Sequence, residues 1–134
     1  MRQVANGKRE VKRETINMAR ALSKGQLSQL QELLQGFDIR QTCEILFGLE
    51  QGVDVSIYAN TKYNHEQMCQ LRRGLINGVD VSVYADPRFC SRQMCLIKNC
   101  LEDGRDVSAY ADPEIGWIKT KQMRESIEQA EIND

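Results

Sequence analysis

The sequence lacks any long hydrophobic run: among its 134 residues, the longest uninterrupted apolar stretch is the four residues 94–97. A membrane-spanning helix needs about 20 consecutive, mostly apolar residues, so we predict none. Residues 1–14 carry several charges but no apolar stretch of the kind found in secretory signal peptides. Together these features predict a cytoplasmic protein that does not associate with a membrane.

The sequence also lacks a charge of one dominant sign, since 18 Lys and Arg side chains face 19 Asp and Glu side chains and the net charge is -1. This balance argues against a chain whose whole surface wraps nucleic acid or mimics it. A hydrophobic fraction of 41% with 28% charged residues is typical of a folded, soluble domain rather than a disordered chain.

Motifs for catalysis or for metal binding are missing as well. The five cysteines form no Cys-x-x-Cys pair, and the single histidine, His65, cannot complete a Cys/His zinc site. No serine or cysteine lies in a motif that would supply a catalytic base, and His65 is most simply a solvated residue in the first turn of a helix. We therefore predict a protein that is not an enzyme and that holds no cofactor or metal.

What the sequence does contain is a repeat. The segment GVDVSIYAN at residues 52–60 recurs as GVDVSVYAD at 78–86 and as GRDVSAYAD at 104–112, each time 26 residues further on. The segments between the copies align without gaps, so that Gln41, Gln67 and Gln93 share one column. A supersecondary unit repeated in tandem predicts a stack in which neighbouring copies complete each other's core.

Each repeat is predicted to contain one long helix. In the middle copy, Met68, Leu71 and Leu75 follow at i, i+3 and i+7 and form one apolar stripe. Asn64 is placed to cap this helix, with Gln67 completing a capping box, and Asp38 and Gln41 occupy the same two columns in the first copy.

The end of the helix and the short segment after it carry further signals. Gly78 is expected to end the helix in the left-handed conformation, and Asp80 to cap a short helical turn over residues 81–85. A strand over 81–85 is the alternative, because β-formers alternate there, and it would place a sheet along one side of the molecule. In the third copy Cys90 is a poor cap, and Ser91 could replace it with a shift of one residue.

Helices are also predicted on both sides of the repeats. Apolar residues at helical spacing indicate two helices over 11–22 and 27–34, the second ended by Gly36. After the third repeat the 26-residue spacing breaks around residues 116–117, and a polar helix is predicted from Gln122 to about residue 130.

The predicted fold is therefore all-α: a short right-handed α-solenoid of alternating long and short helices with N- and C-terminal capping helices. It forms one folded unit with three parts: a basic leader with capping helices at 1–37, three repeats at 38–121, and a capping helix with a tail at 122–134.

The residues repeated in every copy are better explained by structure than by chemistry. Cys43, Cys69 and Cys95 share a column, but packed helix axes lie about 8–10 Å apart, whereas a disulfide needs Cα atoms within about 7 Å. We expect free, half-buried thiols.

The repeated aspartates and tyrosines are interpreted in the same way. Asp54, Asp80 and Asp106 lack the remaining ligands of a calcium loop, so they are interpreted as helix caps. The three tyrosines are interpreted as packing between repeats rather than as a platform for stacking bases; they are Tyr58, Tyr84 and Tyr110.

Other helix columns change in charge and size from copy to copy, as expected for contact positions on a fixed scaffold. The candidate partner-binding residues in these columns are Arg40, Phe47, Glu66, Arg73, Arg92, Leu96 and Asn99. Phe47 and Leu96 are apolar where solvent is expected, so they are either anchors for a partner or buried beneath a neighbouring cap or loop.

The N-terminal segment is basic, with seven Lys and Arg against two Glu through residue 24. Such a segment could bind phosphates, although a solvated helix face would have the same composition. The candidate phosphate-binding residues are Arg2, Lys8, Arg9, Lys12, Arg13 and Arg20. A nucleic-acid-associated accessory protein is thus the alternative to a protein-binding module.

The middle repeat, QMCQLRRGLINGVDVSVYADP at residues 67–87, carries the motif G-x-D-V-S-x-Y-A-D-P. It resembles a short helical repeat found in proteins of phage-like and conjugative elements of Gram-positive bacteria. The resemblance covers about residues 38–130 and implies a genomic setting, in which a small module could modulate or inhibit a host defence protein. Gly48 and Gly74 would allow close helix approach, but the third copy has Cys100 in their column.

Overall fold

The computed structural model describes residue 32 and residues 34–133 of the chain. Within this part there are helices and turns but no strand, which confirms the all-α prediction and rules out the strand alternative for residues 81–85. The four α-helices are α1 (Ile39–Glu50), α2 (His65–Ile76), α3 (Ser91–Glu102) and α4 (Gly116–Asn133). Three short 3-10 turns accompany them, at Val55–Ile57, Val81–Val83 and Pro113–Ile115.

Capping boxes fix where the repeat helices begin. The Asp38 carboxylate accepts a hydrogen bond from the Gln41 amide at 2.8 Å, and the Gln41 side chain accepts one from the Asp38 amide at 2.9 Å. Asn64 and Gln67 form the same pair of bonds at the start of α2, both at 2.8 Å. Both predicted boxes are therefore confirmed, and each satisfies two backbone donors that a helix start leaves open.

The third helix begins in the same register with a weaker cap. Cys90 occupies the cap position and α3 starts at Ser91, so the predicted shift of the cap to Ser91 is wrong. The Gln93 side chain still accepts a hydrogen bond from the Cys90 amide at 3.0 Å. The Gln93 side chain thus keeps the start of the helix at the same repeat position, although the Cys90 thiol is a poor hydrogen-bond acceptor for a cap.

After each repeat helix the chain changes direction at a glycine, and we call this turn the corner. Gly52, Gly78 and Gly104 have φ angles of 77°, 76° and 75°, in the left-handed region that glycine enters without strain. The Asp80 carboxylate then accepts from the Ser82 amide at 3.1 Å and caps the 3-10 turn, as predicted.

The first and third copies turn this corner in the same way. Asp54 caps through the Ser56 amide at 3.1 Å, and Asp106 through the Ser108 amide at 3.0 Å. In the third copy the hydrogen bonds from Ser108 lower the pKa of the Asp106 carboxyl. There the segment is a single turn over residues 108–110 rather than a 3-10 element.

The core runs through all the repeats without a break. Ile45, Leu71 and Ile97 share one column and have no solvent exposure, and they belong to one cluster with the repeat tyrosines. Helices pack in chain order, α1 on α2, α2 on α3 and α3 on α4. Each helix therefore buries its apolar stripe against its neighbours, since a single 12-residue helix offers too little surface to do so alone.

A polar contact joins each repeat to the next. The Gln41 amide nitrogen donates to the carbonyl of Tyr63 at 2.7 Å, and the Gln67 nitrogen donates to the carbonyl of Phe89 at 2.6 Å. Tyr63 and Phe89 lie just before the next helix, so one glutamine side chain caps its own helix and binds the following repeat. We call this contact the glutamine link. At Gln93 the same nitrogen is buried without a hydrogen-bond partner among the described residues.

The repeat tyrosines pack beneath their own helix. The hydroxyl of Tyr58 donates to the carbonyl of Glu44 at 2.7 Å, and that of Tyr84 to the carbonyl of Gln70 at 2.8 Å. The prediction of a packing role is confirmed, but these hydrogen bonds lie within a repeat and not between repeats. Burial raises the pKa of both tyrosines above the ordinary value.

Glycine makes room for the tyrosine hydroxyl. A Cβ atom built on Gly48 would lie 1.9 Å from the Tyr58 hydroxyl, and one on Gly74 would lie 2.1 Å from that of Tyr84. The close approach at this column is therefore that of a tyrosine to a helix rather than of two helices. In the third repeat the column holds buried Cys100, and burial together with the neighbouring Cys100 raises the pKa of Tyr110.

The last helix keeps the spacing of the array. It begins at Gly116, which lies 26 residues after Cys90, and not at Gln122. Thr120, fully buried, occupies the column of Met68 and Met94. The predicted break around residues 116–117 is therefore wrong, because the similarity between residues 93–94 and 122–123 does not reflect equivalent positions.

Before the repeats, Gly36 lies in a turn with a φ of 92°, consistent with its predicted role at a helix end. The predicted helix over 11–22, and nearly all of the one over 27–34, lie outside the described residues. Each helix within residues 34–133 is too short or too polar to cross a membrane.

Candidate interaction face

The predicted partner-binding residues lie on the solvent side of three successive helices. Five of the seven are exposed: Arg40, Glu66, Arg73, Arg92 and Asn99. We call the side of α1, α2 and α3 that carries all seven the outer face. The other two, Phe47 and Leu96, are half-buried, so each is partly covered by a neighbouring element, as the second of the two interpretations expected.

Phe47 is partly covered by a neighbouring cation. The guanidinium of Arg72, on α2, lies 5.7 Å from the centroid of the Phe47 ring, a geometry that attracts a cation to an aromatic face. Arg72 also donates to the Glu44 carboxylate at 2.8 Å and to the Gln51 side chain at 2.9 Å. Arg72 therefore ties α2 to α1 along the edge of the outer face.

This cluster is electrostatically satisfied. Burial opposes the charge on Arg72, but the hydrogen bond and the charge of Glu44 outweigh it and leave the pKa of Arg72 above its ordinary value. Arg72 was not among the residues selected from the sequence. The residue types at its repeat position could have identified it, because this position holds the apolar Leu46 in the first repeat and a cation in the second.

Leu96 is half-buried for a different reason, since it lines a groove between α3 and α4. The groove has a volume of about 270 Å³ and is lined by Arg92, Cys95, Leu96, Trp117 and Lys121. The guanidinium of Arg92 lies 4.7 Å from the centroid of the Trp117 ring. We call this feature the tryptophan groove.

Two of its residues, Trp117 and Lys121, were missed by sequence reasoning. They fall in the segment that was interpreted as an insertion, so they had no assigned column. With α4 in register, Trp117 aligns with His65 and Ser91, and Lys121 aligns with Cys69 and Cys95. The 26-residue spacing could therefore have assigned both residues to repeat columns.

The cysteine column runs along the outer face. Cys43, Cys69 and Cys95 form no disulfide bond and are half-buried, as predicted. The Cys69 sulfur accepts a weak hydrogen bond from Arg72 at 3.8 Å, and the Cys95 sulfur one from Asn99 at 3.7 Å. Across residues 34–133 no group of three or more His, Cys, Asp or Glu side chains could hold a metal ion.

His65 lies in the first turn of α2, as expected, and is half-buried. Its Nε2 atom is 3.5 Å from a guanidinium nitrogen of Arg40, one repeat earlier. A second and larger cleft, of about 580 Å³, lies beside the corner at residues 77–80 and is lined also by Leu101 and Glu102. None of the predicted partner-binding residues lines it.

The basic N-terminal residues proposed for phosphate contact lie outside the described part of the chain; they are Arg2, Lys8, Arg9, Lys12, Arg13 and Arg20. Comparison of the chain with protein-family models, with curated proteins and with solved structures found no match. What the protein does is therefore inferred from its own residues.

Proposed function

We propose that the protein is a non-enzymatic binding module, a small helical-repeat scaffold that docks on another protein through its outer face. One observation carries the proposal: on the repeat helices the core columns of Gln41, Ile45 and Gly48 hold the same or similar residues in most copies, whereas the columns of the outer face change in charge and size. The exposed column at the second helical position, for example, reads Arg40, Glu66 and Arg92. Variation concentrated on one exposed face of a repeated scaffold is typical of repeat proteins that bind partners.

A right-handed solenoid with capping helices is the form we propose for the whole array. In the first repeat, Gln41, Glu44 and Gln51 bond to the following repeat. The aligned positions on α4 hold Lys119, Gln122 and Gln129, all exposed and polar. A polar final face is what a terminal capping helix requires, because no further repeat follows to cover an apolar stripe. Residues 1–37 are proposed as the cap at the other end.

The setting of the proposal comes from the resemblance of the repeat motif to that of proteins carried on mobile elements. We propose a cytoplasmic protein of such an element that modulates or inhibits a host protein, with host defence as the natural category. A nucleic-acid-associated role through the basic N-terminal segment is the competing function, favoured by the concentration of Lys and Arg before residue 24.

The test is affinity capture from native host lysate, with and without nuclease treatment, using three forms of the tagged protein. The first is the wild type, and the second carries Arg40→Glu and Arg73→Glu on the outer face. The third, a matched control, carries Lys62→Glu and Lys119→Glu, which change the net charge equally at exposed positions off that face. Circular dichroism checks that all three have the same helicity.

The expected result is one dominant protein captured by the wild type and the control, with or without nuclease, and lost with the outer-face variant. Equal capture by all three forms would contradict docking through this face. Recovery of nucleic acid, with steep loss at high salt and on deletion of residues 1–24, would instead support the alternative.

A further inference from the structure

From the chemistry of the tryptophan groove we propose the class of its occupant: an acidic peptide segment of the partner protein, which inserts one aliphatic side chain against Leu96 and Trp117. This inference rests on the proposed function and specifies the partner at one position of the outer face. It combines the shape of the groove, its apolar lining and two cations on its rim that have no carboxylate partner among the described residues.

The residues that form the groove differ from those at the matching positions between α1 and α2. At the matching positions between α1 and α2, Arg40 meets His65, and Glu44 forms an ion pair with Arg72. Between α3 and α4 the aligned residues are Trp117 in place of His65 and Leu96 in place of Glu44. A polar junction is thereby replaced by an apolar one.

The size of the groove limits what can enter it. Its volume of about 270 Å³ is at the lower edge of small-molecule pockets, which span about 300–1,000 Å³. It is open to solvent and has a flat aromatic wall, so it fits one large side chain on a backbone running across it better than an enclosed metabolite. Trp and Arg, the two residues stacked here, are the types most enriched where partner side chains insert.

The charge of the rim selects the flanking residues of the partner. Arg92 and Lys121 stand on opposite walls, and among the described side chains no carboxylate comes within 4.0 Å of either cation. The groove also lies at the N-terminal end of α4, where the helix dipole adds partial positive charge. Carboxylates on both sides of an inserted apolar side chain would therefore be attracted, and a basic segment repelled.

Trp117 supplies the measurement, because it is the only tryptophan of the chain and so its fluorescence reports on the groove alone. The full-length protein is titrated with the blocked peptide Asp-Glu-Leu-Glu-Asp up to millimolar concentration. Two comparison peptides replace the central Leu by Ala, or the four acids by Lys. We expect a saturable fluorescence change with the first peptide and none with the other two.

Variants assign the binding to the groove. Arg92→Glu with Lys121→Glu is expected to weaken the acidic peptide by about tenfold or more, since two rim charges change sign. Lys119→Glu, on the same helix but outside the groove, is expected to have little effect. Leu96→Asp is expected to abolish binding, with helicity unchanged.

Three outcomes would overturn the inference: no saturable change, equal binding of the Ala peptide, or an equal effect of Lys119→Glu. Fluorescence changes with phosphatidylserine vesicles but not with the acidic peptide would indicate a lipid surface and also reject it. In the capture experiment, a partner lost with Arg40→Glu and Arg73→Glu but kept with Arg92→Glu and Lys121→Glu leaves the proposed function standing while the occupant of the groove is rejected.

Discussion

Replacing Gly74 with alanine tests the packing of the tyrosine beneath its helix. At an exposed position in the middle of a helix, this change stabilises by about 1 kcal/mol, because glycine loses more backbone entropy on folding. At Gly74 the new Cβ would lie 2.1 Å from the Tyr84 hydroxyl and 2.6 Å from a methyl of Val81. Both atoms must move, and they belong to fully or nearly fully buried side chains.

The magnitude follows from what the movement disrupts. Withdrawal of Tyr84 breaks its hydrogen bond to the Gln70 carbonyl, worth about 1 kcal/mol net. Overpacking of a buried contact adds about 1–3 kcal/mol. After the gain in helix propensity is subtracted, we expect Gly74→Ala to destabilise the protein by about 2 kcal/mol.

The assay is urea unfolding followed by far-ultraviolet circular dichroism, with a double-mutant cycle. Tyr84→Phe removes the atom nearest to the new Cβ while leaving Val81 in place. We therefore expect Gly74→Ala to cost about 1 kcal/mol less in the Tyr84→Phe background than in the wild type. If Gly74→Ala instead stabilises the protein as it would at an exposed site, the described approach of tyrosine to helix is wrong.

Two further predictions concern buried polar groups. Gln67→Met removes the glutamine link and leaves the Phe89 carbonyl without its donor. In urea unfolding it should therefore lower the free energy of unfolding by about 1–3 kcal/mol more than Gln93→Met does, because the Gln93 nitrogen has no such partner among the described residues. Equal losses for the two variants would contradict the link. Because burial raises the pKa of Tyr58, Tyr84 and Tyr110, the folded protein retains phenol protons that the unfolded chain releases near pH 10. Stability should therefore be unaffected by these groups below about pH 10 and fall above it, by up to about 1.4 kcal/mol per pH unit for each tyrosine. The absorbance of tyrosinate should then rise together with the loss of helicity. Ionisation of the repeat tyrosines while the helices remain folded would show that these side chains are not buried.

The local structure of the repeats follows closely from the sequence, because it depends on residues a few positions apart. The capping box of Asn64 with Gln67, the corner at Gly78 and the cap at Asp80 each depend on a spacing of two to four residues. The corner glycine and the aspartate cap recur in three copies and the capping box in two, so each prediction rested on more than one observation.

Contacts between repeats were harder to predict, because they depend on pairs separated by more than 20 residues. Arg72 meets Glu44 across 28 positions, and neither residue recurs in every copy. The tryptophan groove was missed because no other copy has a tryptophan in the column of Trp117. In addition, Gln122 suggested a false alignment with the glutamine column. The hydrogen bond from Tyr84 to a carbonyl of its own repeat was likewise not predictable, because the periodicity does not specify which acceptor a tyrosine hydroxyl reaches.

The corner glycines Gly52, Gly78 and Gly104 have φ angles that agree to within two degrees. A bend that rests on main-chain conformation does not depend on which side chains project from the neighbouring helices. Residues in the exposed columns can therefore be exchanged for others without straining the turn that follows each helix. New contact residues could be introduced on the exposed side of a chosen helix while the turn after it keeps its conformation.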